Sequence, residues 1–283
     1  VILSVPLILE KIYKKMIQPQ ISKKPVSWVL KMPLLDKVVL NKIRETLMDA
    51  FGGEFSQIII GGAPLNAEVE AFLRRIKFPI TVGYGMTETA PLISFTPWTE
   101  FRSQSCGQVL KGFMNARIAN PDADGVGEIQ VRGENVMAGY YKNEQATAES
   151  FTEDGWLRTG DLGIIDEDGF IYIKGRCKTM LLGPSGQNIY PEEIEAKINN
   201  MPYVLESLVL QKDTKLVALV CPDFEAVDAD HLTQDQLEVV MEENRKLVNA
   251  ELATYEQINE VRVYTHEFEK TPKKSIKRFL YEA

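Results

Sequence analysis

Apolar residues are spaced along this chain in two ways, and each predicts a different element. Between residues 34 and 51 they recur every three or four positions with charged residues between them, which predicts an amphipathic helix. The uninterrupted apolar run at residues 58–60 predicts a short buried strand, and helical spacing returns over residues 66–76. A strand, a glycine loop and a helix in this order form a βα unit, whose loop lies where parallel sheets bind ligands.

A second strand with a loop after it follows at residues 79–89. This loop offers an aromatic face on Tyr84, a glycine for close approach at Gly85, the hydroxyl of Thr87 and the carboxylate of Glu88. Such a set can stack a base, contact a phosphate and hold Mg²⁺. A plain turn at a strand end is the alternative interpretation. Because two loops at neighbouring strand ends share one crevice, we expect a binding site there.

The rest of the chain changes from short strands to mixed helices and strands. Residues 101–175 contain β-rich runs separated by turns, which predict a small antiparallel sheet or barrel. After Arg176 the spacing predicts an α+β lobe, in which a capping box begins a helix at Thr233. The predicted elements of this lobe are a helix from residue 191, strands at 205–210 and 215–221, a helix at 233–254 and a strand at 261–264.

We therefore expect an α/β fold in two parts. Residues 1–177 would hold an αβ sheet part over residues 1–100 and a β-barrel-like subdomain over 101–177, and residues 178–283 would form an α+β domain. The apolar opening segment is far shorter than the roughly 20 residues that span a bilayer. It also lacks a leading Met, so we expect the chain to be trimmed from a longer protein.

Composition narrows the classes of function. The 283 residues are 45% hydrophobic and 25% charged, as in ordinary globular proteins. With 32 basic and 40 acidic side chains the net charge is −8, which disfavours nucleic acid as a partner. Three widely spaced cysteines, Cys106, Cys177 and Cys221, indicate a reducing compartment, and we expect a cytoplasmic location. Two histidines and no Cys-x-x-Cys pair leave carboxylates as the candidate metal ligands.

Two segments keep alternative interpretations. The helix predicted at residues 34–51 is either a core-facing helix or a membrane-surface helix, so peripheral membrane contact stays open. Residues 270–278 carry five basic side chains and form either a solvated tail or a group of functional cations. The common nucleotide motifs are absent, since the sequence has no Gly-Lys dipeptide for a P-loop and the 83–88 loop lacks the third glycine of a dinucleotide fingerprint.

Several runs of residues together match a known family. The runs, in chain order, are Gly61-Gly-Ala-Pro, Tyr84-Gly-Met-Thr-Glu, Gly127-Glu-Ile-Gln-Val-Arg-Gly with Gly139-Tyr-Tyr-Lys-Asn, Trp156-Leu-Arg-Thr-Gly-Asp-Leu, and Gly175-Arg-Cys-Lys with Gly186-Gln-Asn-Ile-Tyr. In this content and order the sequence resembles the adenylate-forming superfamily, and within it the long-chain fatty-acid–CoA ligases. The resemblance implies an adenylate-binding body followed by a small C-terminal lobe.

The resemblance also implies roles for individual residues. Tyr84 would stack on adenine, Thr87 would contact the α-phosphate, Glu88 would ligate Mg²⁺, and Asp161 would accept both ribose hydroxyls. Arg176 would reach the ribose or phosphate side, and Lys178 would be the hinge of the C-terminal domain. Further nucleotide or CoA contacts would come from Gly61, Gly62, Ala63, Pro64, Gly85 and Gly186. The implied small molecules are ATP or AMP, Mg²⁺, CoA and a fatty acid.

The sequence departs from the family pattern in two places. The glycine-rich phosphate loop that precedes these motifs in the family is absent from the 283 residues, so we expect this chain by itself to be inactive. Ser275 stands where the family has its adenylation lysine, which makes Lys274 and Lys277 the candidate catalytic cations. Two other functions stay open: a non-catalytic adenylate-binding or interaction protein, and an adenylating domain that loads a carrier protein.

Overall fold

The computed structural model describes residues 1–24, 28, 32, 35–271 and 275–282. The chain divides into two compact units. The first unit comprises Val1–Thr159 with Gly163–Ile173, and the second comprises Gly160–Leu162 with Lys174–Ala283. Helices and several sheets occur together, which confirms the α/β class.

The first unit begins with a parallel three-stranded sheet. Its strands are β1 (Ile2–Ser4), β2 (Ile58–Ile60) and β3 (Ile80–Val82), in the order β1-β2-β3. The helices of this part are α1 (Pro6–Ile12), which runs through a π-helical turn (Tyr13–Ile17) into α2 (Gln18–Ile21), then α3 (Leu35–Ala50) and α4 (Ala67–Arg75). The helices predicted at residues 34–51 and 66–76 and the strand predicted at 58–60 are thus confirmed.

Burial and capping explain these elements. Ile58 and Ile60 lie fully buried in one core cluster with Leu73 and Phe78, so the apolar run forms the central strand. Helix α4 begins after Asn66 because its side-chain oxygen accepts hydrogen bonds from two backbone N–H groups of the first turn.

The first unit continues into two further sheets. Strands β4 (Tyr84–Gly85), β5 (Leu92–Phe95) and β6 (Gln108–Val109) form one antiparallel sheet. Strands β7 (Met114–Ala119), β8 (Gly127–Gly133), β9 (Leu157–Ile165) and β10 (Ile171–Arg176) form another in the order β10-β9-β8-β7, with helix α5 (Glu144–Ser150) between β8 and β9. These sheets stay open, and no closed barrel forms within residues 35–271, so the barrel-like expectation is wrong and the sheet alternative is right.

The second unit is built of helices and strands. The hairpin strands β11 (Leu181–Leu182) and β12 (Asn188–Ile189) precede helix α6 (Pro191–Ile198). Strands β13 (Val204–Lys212), β14 (Lys215–Pro222) and β15 (Ile258–Val263) form a mixed sheet in the order β13-β14-β15. Helices α7 (Phe224–Ala229) and α8 (Gln234–Asn249) lie between β14 and β15 in the chain. The predicted capping box at Thr233 is confirmed by reciprocal bonds with Gln236.

Helix α8 and strand β15 differ from their predicted bounds. The helix ends at Asn249 instead of residue 254, and the strand begins at Ile258 instead of residue 261. The reason is local, because the Asn249 side chain accepts the Ile258 N–H at 2.8 Å and donates to the Ile258 carbonyl at 2.9 Å. These two bonds hold the chain in a turn that leads directly into β15.

Within the described residues, no helix has both the length and the apolar character needed to span a bilayer.

Candidate functional site

Two loops meet at the carboxyl ends of β2 and β3. The strands are parallel neighbours, so the loops after them lie side by side. A Cβ atom placed on Gly61 would lie 3.5 Å from the carbonyl oxygen of Gly83, which joins the first loop to the start of the second. Gly62, with φ of +88°, Ala63 and Pro64 are exposed. The structure therefore brings together the two predicted loops of the first unit.

Tyr84 occupies strand β4 and faces the interior of the first unit. Its residue surface is only 7% exposed, and it belongs to a core cluster with Ile93 and Ile129. The sequence predicts an aromatic face for stacking here, and in this structure the ring packs mainly against protein. Adenine stacking by Tyr84 stays a prediction.

Gly85 is required by the approach of two backbones. A Cβ atom at this position would overlap the carbonyl oxygen of Pro91. The neighbouring Met86 N–H donates to the same oxygen at 2.8 Å. The close approach that the sequence suggested at Gly85 is thus made by the chain itself, between the ends of β4 and β5.

A single 3₁₀ turn, Thr87–Thr89, carries the next two candidate residues. The Thr89 hydroxyl donates to the carbonyl oxygens of Met86 at 3.0 Å and Pro91 at 2.8 Å. From outside the turn, Asn135 Nδ2 donates to the Thr89 carbonyl at 2.6 Å. The backbone of the turn is therefore fixed while the Thr87 side chain stays exposed.

Glu88 is held at its side chain and at its backbone. Its Oε1 accepts a hydrogen bond from the Tyr140 hydroxyl at 2.9 Å, and its carbonyl oxygen accepts one from the Met137 N–H at 2.8 Å. Among the residues that the structure describes, Oε2 accepts no hydrogen bond. One carboxylate oxygen is thus oriented and the other is available.

The Glu88 carboxylate has one oxygen that could bind Mg²⁺. Mg²⁺ in nucleotide sites is commonly held by one or two carboxylates together with the phosphates of the substrate. In the described part of the chain, no three His, Cys, Asp or Glu side chains converge into a site made of protein ligands alone. The available Oε2 of Glu88 is what a metal shared with a nucleotide needs.

Asp161 and Arg176 form an ion pair in the second unit. Arg176 Nε donates to Asp161 Oδ1 at 2.9 Å, with the Asp161 side chain 14% exposed and the Arg176 side chain 59% exposed. Beside them, the Cys177 N–H donates to the Gly160 carbonyl at 2.9 Å, which joins the residue after β10 to the middle of β9. The Arg176 guanidinium thus already stabilises the Asp161 carboxylate, and ribose binding by Asp161 stays a prediction.

Lys178, the predicted hinge, lies in an exposed turn after β10. The N–H groups of Thr179 and Met180 both donate to the Arg176 carbonyl at 3.1 Å. The Thr179 hydroxyl also donates to Glu192 at 2.6 Å. The division between the units falls a few residues earlier, between Ile173 and Lys174. The hinge role of Lys178 stays a prediction.

Gly186 lies at the tip of the β11–β12 hairpin. Its φ is +83°, a conformation that favours glycine, and a Cβ atom there would meet nothing within 4 Å. Its N–H donates to the Gly183 carbonyl at 2.9 Å and closes the turn. Turn geometry therefore accounts for this glycine, and CoA binding stays a prediction.

The basic tail carries the last candidate residues. Lys274 lies outside the described residues. The Lys277 ammonium pairs with Glu269 at 3.2 Å, while Ser275 is exposed and its carbonyl accepts the Thr271 N–H at 2.8 Å. Lys277 is thus committed to a carboxylate in this structure.

Sequence reasoning missed two residues that organise these regions. One is Tyr140, the partner of Glu88. The other is Arg278, which contacts both Glu195 and Glu192 of α6 and donates to the Val209 carbonyl at 3.2 Å. The available signal was the pair of acids three positions apart on one helix, which predicts a shared cation.

The pKa of Glu195, one of the two carboxyl groups that contact Arg278, is shifted from its ordinary value. Burial raises the pKa of Glu195 to about 7, against the Arg278 guanidinium and the Val209 N–H, which lower it. The Val209 N–H donates to its Oε1 at 2.6 Å. Arg278 is therefore an anchor of the tail on α6 and not part of a solvated end.

Comparison with known proteins identifies relatives for most of the chain. The AMP-binding enzyme family matches residues 1–141. A long-chain-fatty-acid–CoA ligase, FadD15 of Mycobacterium bovis, is 36% identical over 199 residues, which are 70% of this chain and 31% of that protein. The ligase ACSBG1 of Rattus norvegicus is 33% identical over 189 residues, covering 66% of this chain and 26% of its own. The chain spans less than a third of the length of these relatives.

Solved structures share the fold. The adenylation domain of a carboxylate reductase from Mycobacterium chelonae superimposes with a TM-score of 0.78 at 22% identity, over 98% of this chain and 44% of that one. ATP-bound MatB from Rhodopseudomonas palustris gives a TM-score of 0.68 at 25% identity, over 98% of this chain and 49% of its own. Both comparisons cover both units, and they confirm the fold class.

Proposed function

This chain belongs to the AMP-binding enzyme family, and from that membership we propose that it is part of a long-chain fatty-acid–CoA ligase. Such an enzyme joins a carboxylate to ATP to give an acyl-adenylate and pyrophosphate, and CoA thiolate then displaces AMP. The observation that carries the proposal is the 36% identity to a long-chain-fatty-acid–CoA ligase over 70% of the chain.

The described residues support particular steps of this reaction. In the first unit, Thr87 presents an exposed hydroxyl for the α-phosphate, and Glu88 offers Oε2 to a metal shared with the phosphates. When bound, Mg²⁺ would neutralise part of the phosphate charge during attack by the carboxylate. In the second unit, the largely buried Asp161 would accept the ribose hydroxyls.

The test uses the full-length protein with a long-chain fatty acid, ATP, Mg²⁺ and CoA. We expect ATP–pyrophosphate exchange that depends on the fatty acid, and release of AMP and acyl-CoA when CoA is added. Absence of both activities with every chain length tried would reject the ligase proposal. The 283-residue chain by itself is expected to show no exchange, because the phosphate loop is absent from it.

One observation favours a non-catalytic adenylate-binding protein as the second candidate. Ser275 stands in the lysine position of the family, and Lys277 pairs with Glu269. Binding of AMP without exchange activity in the full-length protein would favour this candidate. A carrier protein in place of CoA is a separate alternative, which a comparison of acyl transfer to the two acceptors decides.

We also propose a cytoplasmic location, which is a reducing compartment, with peripheral contact to a membrane. The three cysteines, none of which forms a disulfide, support the reducing compartment. Cell fractionation, followed by flotation with phosphatidylcholine vesicles and with vesicles that contain phosphatidylserine, tests both parts. Co-flotation in neither case would reject the membrane contact.

A further inference from the structure

One short segment of the first unit holds Glu88 at two points. The Tyr140 hydroxyl donates to Oε1 at 2.9 Å across 52 positions of sequence, and the Met137 N–H donates to the Glu88 carbonyl at 2.8 Å. The backbone bond fixes where Glu88 lies, and the side-chain bond fixes how its carboxylate is turned. Both bonds come from residues 137–140, which follow β8.

This segment is itself docked on helix α5. The Tyr140 N–H donates to Thr147 Oγ1 at 2.9 Å, and the Thr147 hydroxyl donates to the Asn143 carbonyl at 2.8 Å. A Cβ atom on Gly139 would lie only 2.7 Å from Thr147 Cγ2, so only glycine allows this close docking. The backbone of Tyr140 is therefore held on α5 by a bond that does not involve Glu88.

We propose that Tyr140 is a positioning residue for the Glu88 carboxylate, which it orients so that Oε2 is the oxygen available to Mg²⁺. The proposal rests on the metal role given to Glu88 in the proposed function. A carboxylate on a side chain with three rotatable bonds samples many orientations unless a partner holds it. Partners that hydrogen-bond a metal ligand commonly change metal affinity by about 10-fold to 100-fold.

The neighbouring tyrosine provides a matched control. Tyr140 is 40% exposed and Tyr141 is 88% exposed, so neither ring is a main part of the core. Tyr141 contacts the Lys142 ammonium through its ring face, 5.2 Å from the centroid. Tyr140→Phe and Tyr141→Phe therefore each remove one hydroxyl, and only the first removes a bond to Glu88.

The experiment measures nucleotide binding instead of turnover. Calorimetric titration of ATP into the full-length protein without fatty acid is done once with Mg²⁺ and once with EDTA. We expect Tyr140→Phe to bind ATP like the parent in EDTA and to lose about 10-fold to 100-fold of the affinity gained with Mg²⁺. Tyr141→Phe should behave like the parent in both titrations, and Glu88→Gln should lose the metal-dependent gain completely.

The combination of variants separates the possible failures. If Glu88→Gln loses the metal-dependent gain while Tyr140→Phe keeps it within twofold of the parent, the role of Tyr140 is rejected and that of Glu88 stands. If the parent and Glu88→Gln both bind ATP equally with Mg²⁺ and with EDTA, the metal role of Glu88 fails and the proposal fails with it. Neither result touches the fatty-acid assay, which tests the ligase function independently.

A second variant, at Thr147, tests the support of the Tyr140 backbone instead of the Tyr140 hydroxyl. Thr147→Val keeps the shape of the side chain and its contact with Gly139, and it removes the oxygen that accepts the Tyr140 N–H. We expect a smaller loss of the metal-dependent gain, in the same direction as for Tyr140→Phe. Should Tyr140→Phe fail to fold, an unchanged gain in Thr147→Val would overturn the proposal.

Discussion

The turn around Glu88 and the basic tail present their polar groups in opposite ways. In the turn, the backbone is fixed by Thr89 and Asn135, and Oε2 of Glu88 is left available. In the part of the tail that the structure describes after residue 274, both cations pair with carboxylates: Lys277 with Glu269 and Arg278 with Glu195. The turn is therefore ordered without a ligand, whereas Lys277 or Arg278 would have to leave its carboxylate before it could contact a phosphate.

Lys277 and Arg278 are neighbours in the tail, but their ion pairs differ in burial. Lys277 and Glu269 lie near the surface, where water can replace either partner. Arg278 reaches the buried Glu195 and also bonds to the Val209 carbonyl of β13. Arg278 therefore fixes the tail on the second unit, and of these two cations Lys277 changes partner at the lower cost.

Removal of Arg278 should have the largest effect on stability. Arg278→Ala leaves the Glu195 carboxyl buried without its cation, and we expect a loss of about 3–5 kcal/mol in the free energy of unfolding. Lys277→Ala, one position earlier, should cost about 0–1 kcal/mol because its pair is exposed. Urea unfolding of the 283-residue chain followed by circular dichroism measures both. Equal losses in the two variants would contradict the distinction between anchor and exchangeable cation.

The pH dependence of this loss has a defined sign. Burial raises the pKa of Glu195 to about 7, so between its ordinary pKa and this value the folded protein holds a proton that the unfolded chain releases. The stability contributed by this group is therefore lost as pH rises towards about 7. Without Arg278 the pKa rises further, so the deficit of Arg278→Ala should grow from about pH 6 to about pH 8. A deficit that shrinks over this range would contradict the assignment.

A methyl group added at Gly85 tests whether the Glu88 turn depends on the close approach of Gly85 to Pro91. Gly85→Ala would place a Cβ atom on the Pro91 carbonyl, so the ends of β4 and β5 must separate, at a cost of about 3 kcal/mol. Gly61→Ala is the matched control, since its Cβ would make an ordinary 3.5 Å contact. Thermal unfolding compares the two variants. A Gly85→Ala protein as stable as Gly61→Ala would show that the turn does not depend on this approach.

Local sequence predicts several elements of both units well, because each signal lies within the element. The helical period at residues 34–51, the Thr233 capping box and the apolar run at 58–60 all appear where they are predicted. Contacts between distant residues carry no such signal. The bond from Tyr140 to Glu88 joins residues 52 positions apart, and the early end of α8 depends on the pairing of Asn249 with Ile258.

For the candidate site, the sequence predicts which side chains are present, and it does not predict how they are packed. Thr87 is exposed and Glu88 is half-buried in their turn, and the roles of both stay predictions. Tyr84 packs inside the protein, and Gly85 is explained by the approach of Pro91. A motif fixes which side chains are present, whereas packing decides which of them face a ligand.

A substitution at Asp161 tests whether a carboxylate that is paired with an arginine can also bind the ribose of a nucleotide. Asp161→Ala removes the acceptor proposed for the ribose hydroxyls, and we expect AMP binding to weaken by roughly 1.5–3 kcal/mol, as for hydrogen bonds to a charged group. Arg176→Ala should have a smaller effect, because its own side chain is largely exposed. Calorimetry with AMP measures both variants. Equal binding by Asp161→Ala and the parent would remove the ribose role.

Cysteine labelling compares an exposed turn of the second unit with its core, and it needs no substitution. Cys177 lies exposed in the turn with Lys178, whereas Cys221 lies in strand β14, where burial raises the pKa of its thiol to about 11. At pH 8 such a thiol is only about 0.1% thiolate, the reactive form, and this fraction rises about tenfold for each pH unit. We expect iodoacetamide to modify Cys177 first, with Cys221 following only as the fold opens. Mass spectrometry of a time course gives the order, and similar rates at both positions would mean that the β14 core of the second unit is as open as the turn at Lys178.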